Sequence, residues 1–348
     1  MATVTTVTPG RPWVASNTAR LMNSLSVLVC LAAAALLVLI TPLAGIAGIM
    51  LVGIPLSCTV SFFRGRVEGT AAAINRVVET VVVSATVVIF LPWISIFVTL
   101  IQRGHSAIYR GFFTHDMRVT APDDVLVSGG IKHAIIGTLI MVLGAAVVAV
   151  PLGIFTAVYI TEIRGRFTKL VRFLVQAMSG VPSIVAGLFI YALIVVQTRQ
   201  FSALSGALAL SVLMIPTVAR TSEEVLRLVG EELRYGAYAL GSSQASNVFR
   251  VVLPSARSGL VTSAILGVAR IAGETAPLLA TAQYFIATKW NPVKGPIGSL
   301  PAMTWSLLQT GTDNAVARAW ATALTLIVLV ALLFVLARLL SRQRRVGK

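Results

Sequence analysis

The chain has 348 residues, of which 57% are hydrophobic and only 11% charged, with a mean hydropathy of +0.89. An ordinary soluble domain carries roughly 25% charged residues, so this composition excludes a water-soluble globule and indicates several membrane crossings. The net charge of +16 sits mostly around the apolar stretches, where membrane topology and anionic lipid account for it, and no nucleic-acid partner is implied.

Residues 1–20 form a polar tail, with no small-residue cleavage site behind a short apolar core, so nothing is expected to be removed there. Residues 21–63 carry no charge. They are too long for one span of about 20 residues and are read as a hairpin of two, turning near Thr41-Pro42 and Gly45. Cys30 and Cys58 fall in that hairpin without metal or redox spacing; buried thiols are expected, with a disulfide between the two helices as the alternative. Further spans follow at about 76–101, 131–160, 170–197, 201–219, 258–287 and 317–337. The predicted fold is an all-α membrane protein with about eight transmembrane helices.

Lys and Arg residues fix the predicted orientation. With both termini cytoplasmic, nineteen of the 28 fall on the inner side, eight on the outer side, and Arg270 remains within a span. Gly144, Pro151 and Gly153 in the fourth span read as packing and kink positions, and Pro216 as a kink near the end of the sixth.

The seventh span contains "RIAGETAPLL", with Arg270 about 20 Å from Arg257 at the inner surface and Glu274 about 6 Å further. An arginine at the bilayer centre costs from roughly 3 to over 10 kcal/mol, so it is expected to line a polar interior. The i,i+4 spacing predicts that Arg270 and Glu274 share a face and pair. One reading is an ion pair that holds helices together. The other is a translocation site, where the planar guanidinium fork attracts an oxyanion.

The longest inner segment, Arg220 to Gly259, carries Glu223, Glu224, Glu231 and Glu232, four of the twelve acidic residues. Its pattern predicts helix, turn, helix: "EELRYGAYAL", a break at Gly241-Ser242-Ser243, a second helix capped by Ser242 or Ser243, and re-entry at Pro254. Such short exposed helices require a docked partner.

Gly241, nine residues, and Val251-Val252-Leu253-Pro254 resemble the loop signature of ABC importer permeases. "GVPSIVAGLFIY", "IPTVARTSEEVL", "AYALGSS" and above all "ARIAGETAPLL" look like the PstA-type permease subunits of phosphate importers, over roughly Thr70 to the C-terminus. The resemblance implies a six-span permease core over 70–340 with a coupling loop at 220–257. Residues 21–69 then form an additional hairpin and loop, and 341–348 a basic cytoplasmic tail. It implies phosphate passage at Arg270 and Arg220 with Glu274 as acidic companion, although Arg220 also reads as an ordinary inner-surface anchor. The coupling helix would comprise Glu231, Glu232, Tyr235, Gly236, Ala237 and Gly241, ending at Leu253 and Pro254. Tyr235 and Gly236 replace the glutamate and first alanine usual in the family, so Glu231 or Glu232 is the candidate for the polar contact with the ATPase.

No G-x-x-x-x-G-K-[ST] phosphate loop is present, so the chain is not expected to hydrolyse ATP, and no cofactor, metal or catalytic site is predicted. ATP and Mg would be used by a PstB-like ATPase dimer, alongside a PstC-like sister permease and a PstS-like phosphate-binding protein. The implied location is the bacterial cytoplasmic membrane. Outer segments 101–130 and 288–315 suit docking of the binding protein, although Trp290 and Trp305 also read as an interfacial belt. His105, His115 and His133 share no ligand spacing. The alternatives are an ABC permease for another oxyanion and a secondary anion carrier. The first would lack "RIAGETAPLL"; the second would show inverted repeats with broken helices.

Overall fold

The computed structural model describes residues 17–39, 46–67 and 69–341, all helix, turn or loop. Residues 1–16 and 342–348 of the two terminal tails, and the turn of the hairpin, lie outside the described residues. The chain forms two compact units, Met1–Val98 and Thr99–Lys348. Residue 70, where the sequence places the start of the permease core, is the start of the third helix, and the units part further along that helix.

In the first unit, α1 (Asn17–Leu39) and α2 (Ile46–Arg66) meet where a Cβ at Gly53 would lie 2.8 Å from the Leu31 side chain. The Ser61 hydroxyl, buried, lies 2.7 Å from that of Thr80 on α3 (Thr70–Gly104). Thr80 donates to the Arg76 carbonyl, so Ser61 is the donor between the helices. Cys30 and Cys58 are free thiols; Cys30 is buried as expected, whereas Cys58 is only half-buried. On α3, Ile89, Phe90, Trp93, Ile94 and Ile96 are each about 60% exposed, an apolar surface that hydrocarbon suits and water does not.

The second unit contains α4 (Lys132–Val158), which runs on through a π turn at Tyr159–Ile163, and α5 (Thr168–Ser179). Helix α6 spans Ser183–Thr198 with a π turn at Tyr191–Val195. It is followed by α7 (Ala203–Arg227), α8 (Glu231–Ala239), α9 (Gln244–Asn247), α10 (Leu253–Ala272), α11 (Ala276–Thr281), α12 (Leu300–Thr310) and α13 (Asp313–Ser341). The core lies where α4, α7 and α10 cross. Met141, Ala145, Ala149, Leu210, Met214 and Ile271 are all fully buried there. Gly153 on α4 and Gly267 on α10 flank Val218, and a Cβ at either would fall 2.8 or 2.7 Å from its side chain. Small residues therefore set the helix spacing, as the sequence suggested for Gly153.

Six described helices are long and apolar enough to cross a membrane, or seven if one bent pair counts as a span; α1 adds a shorter apolar stretch, Ser24–Val38. These lengths do not establish eight spans. The predicted span 170–197 is the bent pair, since α5 and α6 meet at 105°. Gly180-Val181-Pro182 causes the break, because a proline disfavours helix at the residue before it and Pro182 itself is extended, with ψ 139°. The predicted end of the sixth span at 219 is also too early. Helix α7 continues to Arg227, supported by the i,i+4 ion pairs Arg220–Glu224 at 3.9 Å and Glu223–Arg227 at 2.5 Å.

Helix α6 packs on α11 through Gly187. A Cβ there would lie 2.6 Å from the Pro277 Cα, a backbone atom that cannot rotate away. Gly187→Ala is therefore expected to destabilise the fold by about 1–3 kcal/mol, measured as a lowered midpoint of denaturation in detergent.

Candidate functional site

Arg270 lies in the last turn of α10, and its side chain is exposed in the isolated chain. Its Nη1 donates to the Thr217 hydroxyl at 3.0 Å, directly after Pro216 on α7. Arg220 emerges three residues further along α7, about 4.5 Å in axial rise, and helical side chains lean back toward the N-terminus. Both guanidinium groups are thus presented beside the same stretch of α7. Glu224 approaches Arg220 at 3.9 Å, but the two side chains are 68% and 71% exposed, so the pair is worth little. Among the described residues no carboxylate lies within ion-pair distance of Arg270, which leaves its outward donors available to an oxyanion.

Glu274 is placed differently from the expectation. Helix α10 ends at Ala272 with Gly273 as its cap, and the backbone N–H of Glu274 donates to the Ile271 carbonyl at 3.1 Å. The i,i+4 argument needed a continuous helix. Gly273 weakens it, and Pro277 lacks the N–H that would continue the ladder but suits a first turn, so a new helix, α11, begins at Ala276. Glu274 therefore sits half-buried in the link between two helices and forms no ion pair with Arg270.

The second candidate region is the connection from α7 to α10. Glu231 and Glu232 occupy the first turn of α8, where carboxylates complement the positive helix end. Gly241 has φ +81°, a left-handed conformation that glycine adopts without strain, and the Ser243 hydroxyl accepts from the Ser246 N–H to cap α9. The predicted helix, turn, helix is present. A π turn at Val248–Val252 leads into α10 at Leu253 and Pro254. No residue of α8 is buried: Leu233, Tyr235, Tyr238 and, just beyond its end, Leu240 are 52%, 65%, 45% and 91% exposed. Gly236 is open, with nothing within 4 Å of a built Cβ.

What attaches this loop is Arg234, which the sequence shows only as one more inner-side charge. Arg234 donates to both carboxylate oxygens of Glu162 in the π turn after α4, Nε at 3.1 Å and Nη2 at 2.8 Å. Nη2 also donates to the Leu226 carbonyl at 2.9 Å and Nη1 to that of Val229, at the end of α7. The Gln244 amide donates to the Glu162 carbonyl at 2.9 Å and that of Asn247 to the Arg234 carbonyl at 3.4 Å. The two ion-pair side chains are 18% and 8% exposed, and the bond to Glu162 raises the Arg234 pKa despite burial, so the charge is permanent. One signal pointed here: Glu162 is the lone acidic residue between Asp124 and Glu223.

At the opposite end, segments 101–130 and 288–315 are joined. Asp116 accepts from the Thr288 N–H at 3.0 Å and its hydroxyl at 3.2 Å, and Met117 donates to the Ile286 carbonyl. Arg318, 3% exposed, donates to the carbonyls of Ala121, Pro122, Val125 and Ser128. Burial pushes the Asp116 pKa up, but the bonds from Thr288 and the Arg118 N–H outweigh it and the net shift is downward. A depressed carboxylate pKa stabilises the fold above the unfolded value near 3.9, and the contribution is lost as pH falls through the folded value. The 286–290 segment is expected to resist a low-pH-active protease above about pH 4 and to lose that protection below it.

Residues 149–346 match the sequence profile of the family described as "Binding-protein-dependent transport system inner membrane component". The "Phosphate transport system permease protein PstA 1" of Mycobacterium tuberculosis H37Rv is 40% identical over 278 residues, covering 78% of this chain and 90% of that protein. The "Phosphate transport system permease protein PstA" of Haemophilus influenzae is 35% identical over 263 residues, covering 75% and 91%. A solved inward-facing structure of the MetNI methionine ABC transporter aligns with TM-score 0.46 at 19% identity, over 61% of this chain and 90% of that one.

Proposed function

Because the chain belongs to the family of binding-protein-dependent inner-membrane transport components, multi-pass proteins of the inner membrane, we infer that it is the permease subunit of an ATP-driven ABC importer of inorganic phosphate. The observation that carries the site is the exposed guanidinium of Arg270, held by neutral Thr217 one turn from Arg220. A fork restrained by a hydroxyl keeps its full charge for a passing oxyanion. A phosphate with one or two negative charges meets two arginines there, with Glu274 set aside in the adjoining link to limit how tightly the anion is held. Loose binding suits a transit site, and selection is left to an external phosphate-binding protein.

As a permease subunit the chain is not itself the catalyst. ATP and Mg are used by a PstB-like ATPase dimer, which docks on the bare aromatic face of α8 with Glu231 or Glu232 making the polar contact. This loop is the coupling helix, with Tyr235, Gly236, Ala237, Gly241, Leu253 and Pro254 in the positions the family signature implies. A PstC-like sister permease covers the exposed side of α10, and a PstS-like protein docks on the joined outer segments. Both termini face the cytoplasm, as the charge distribution supports. Closure of the ATPase pair moves α8 as a lever, and Arg270 faces outward and then inward.

The test is uptake of labelled phosphate into vesicles containing the four components, with unlabelled sulfate or phosphonate as competitor. Uptake that requires ATP and resists a hundredfold excess of sulfate supports the reading. Competition by sulfate at equal concentration points to a general oxyanion permease, and uptake without ATP to a secondary carrier.

A further inference from the structure

A cleft of about 800 Å³ opens beside the π turn that ends α4, walled by that turn, α5, the end of α7 and the start of α8. Arg164, Arg166, Lys169, Arg172, Arg227 and Arg234 line it, against a single lining carboxylate, Glu231. Two carboxylates outside the lining neutralise part of this charge: Glu162 holds Arg234, and Glu223 holds Arg172 at 3.0 Å and Arg227 at 2.5 Å. The other three cations have no carboxylate partner among the described residues. Arg164 donates its Nε to the Thr161 carbonyl and stands at φ +51°, a left-handed backbone that a non-glycine residue adopts at a cost. The Arg166 guanidinium lies 4.5 Å over the Phe167 ring, and Lys169 is exposed.

The wall formed by α5 has a second property. Lys169, Arg172 and Gln176 fall on one face at helical spacing, whereas Leu170, Phe173 and Leu174 are 52%, 64% and 49% exposed on the other. The helix stands at 105° to α6. If α6 crosses the bilayer, α5 lies along its surface, with an apolar face toward acyl chains and cations at headgroup level. Arginine forks at that level match phosphoryl oxygens in charge and geometry.

We propose that this cleft binds a phosphoryl anion, the headgroup phosphate of an anionic phospholipid or free inorganic phosphate, and so ties α5 to the junction of α7 and α8. Such an occupant bridges the surface helix and the coupling lever without touching Arg270. The inference rests on the charge of the cleft and not on the identity of the transported ion, so failure of phosphate uptake leaves it standing.

The test compares the wild-type complex with an Arg166→Gln/Lys169→Gln variant, both positions being exposed and outside the core. One arm measures retention of phosphatidylglycerol through detergent washing by native mass spectrometry. The other measures binding of labelled inorganic phosphate by equilibrium dialysis in nanodiscs of phosphatidylcholine alone, with the binding protein omitted. The expected result is at least a tenfold loss in one arm, restored by the charge-keeping Arg166→Lys/Lys169→Arg variant, and the arm that responds identifies the source of the phosphoryl group. Equal retention and equal binding in wild type and variant overturn the proposal and leave these cations as topological charge only.

Discussion

Arg270→Gln is expected to lower phosphate uptake about a hundredfold, close to 2.7 kcal/mol of barrier, while the complex assembles and hydrolyses ATP at its basal rate. The geometry favours this outcome over a folding defect. Arg270 is exposed in the isolated chain and bonded to a neutral hydroxyl, so its removal leaves no buried carboxylate uncompensated. Arg270→Lys keeps the charge but loses the planar fork, and an intermediate loss of about tenfold is expected. Uptake is read in vesicles containing the partner subunits, with assembly checked by co-purification. A variant that no longer assembles would make Arg270 structural and shift the transit site to Arg220.

Breaking the Arg234–Glu162 pair is expected to act at the other end of the mechanism. Arg234→Gln or Glu162→Gln removes one member of a nearly buried, bidentate pair, at roughly 2–4 kcal/mol of loop attachment. Because α8 buries none of its own residues, this pair and its neighbouring bonds are its main hold on α4 and α7. ATP hydrolysis should continue, since the face offered to an ATPase is unchanged, but phosphate moved per ATP should fall at least fivefold. The double variant Arg234→Glu/Glu162→Arg is expected to recover part of the ratio, whereas a purely local fault would add the two losses. Hydrolysis and uptake falling in equal proportion would show that the pair does not transmit movement.

Much of the fold was legible because hydrocarbon imposes a simple rule on composition. The charge-free runs in α3, α4 and α13 announce their helices directly. Misplaced boundaries arose where the rule stops applying. Past Ala219 the chain becomes polar, yet side-chain pairs carry α7 on to Arg227. Between 170 and 197 the average stays apolar, although Gly180 and Pro182 already mark the break that separates α5 from α6. At the candidate site, Arg270 stands out as a charge in apolar surroundings, whereas Arg220 comes only from the resemblance. Glu274 does not pair with Arg270, because Gly273 ends one helix before it and Pro277 sits in the first turn of the next. The Arg234–Glu162 pair joins residues 72 apart in sequence, a tertiary fact that no local pattern encodes.

Helix α6 has a consequence for the lipid around it. Its sixteen residues from Ser183 to Thr198 reach roughly 24 Å at 1.5 Å each, about 6 Å short of an average hydrocarbon core. Five of the six other candidate spans run from 25 to 38 residues and can tilt to adapt, whereas a short helix draws the bilayer thinner. If α6 crosses on its own, acyl-chain length bears on it before any other span. Gly187 meets Pro277, three residues from Glu274, so a strain on α6 would reach the link that carries Glu274.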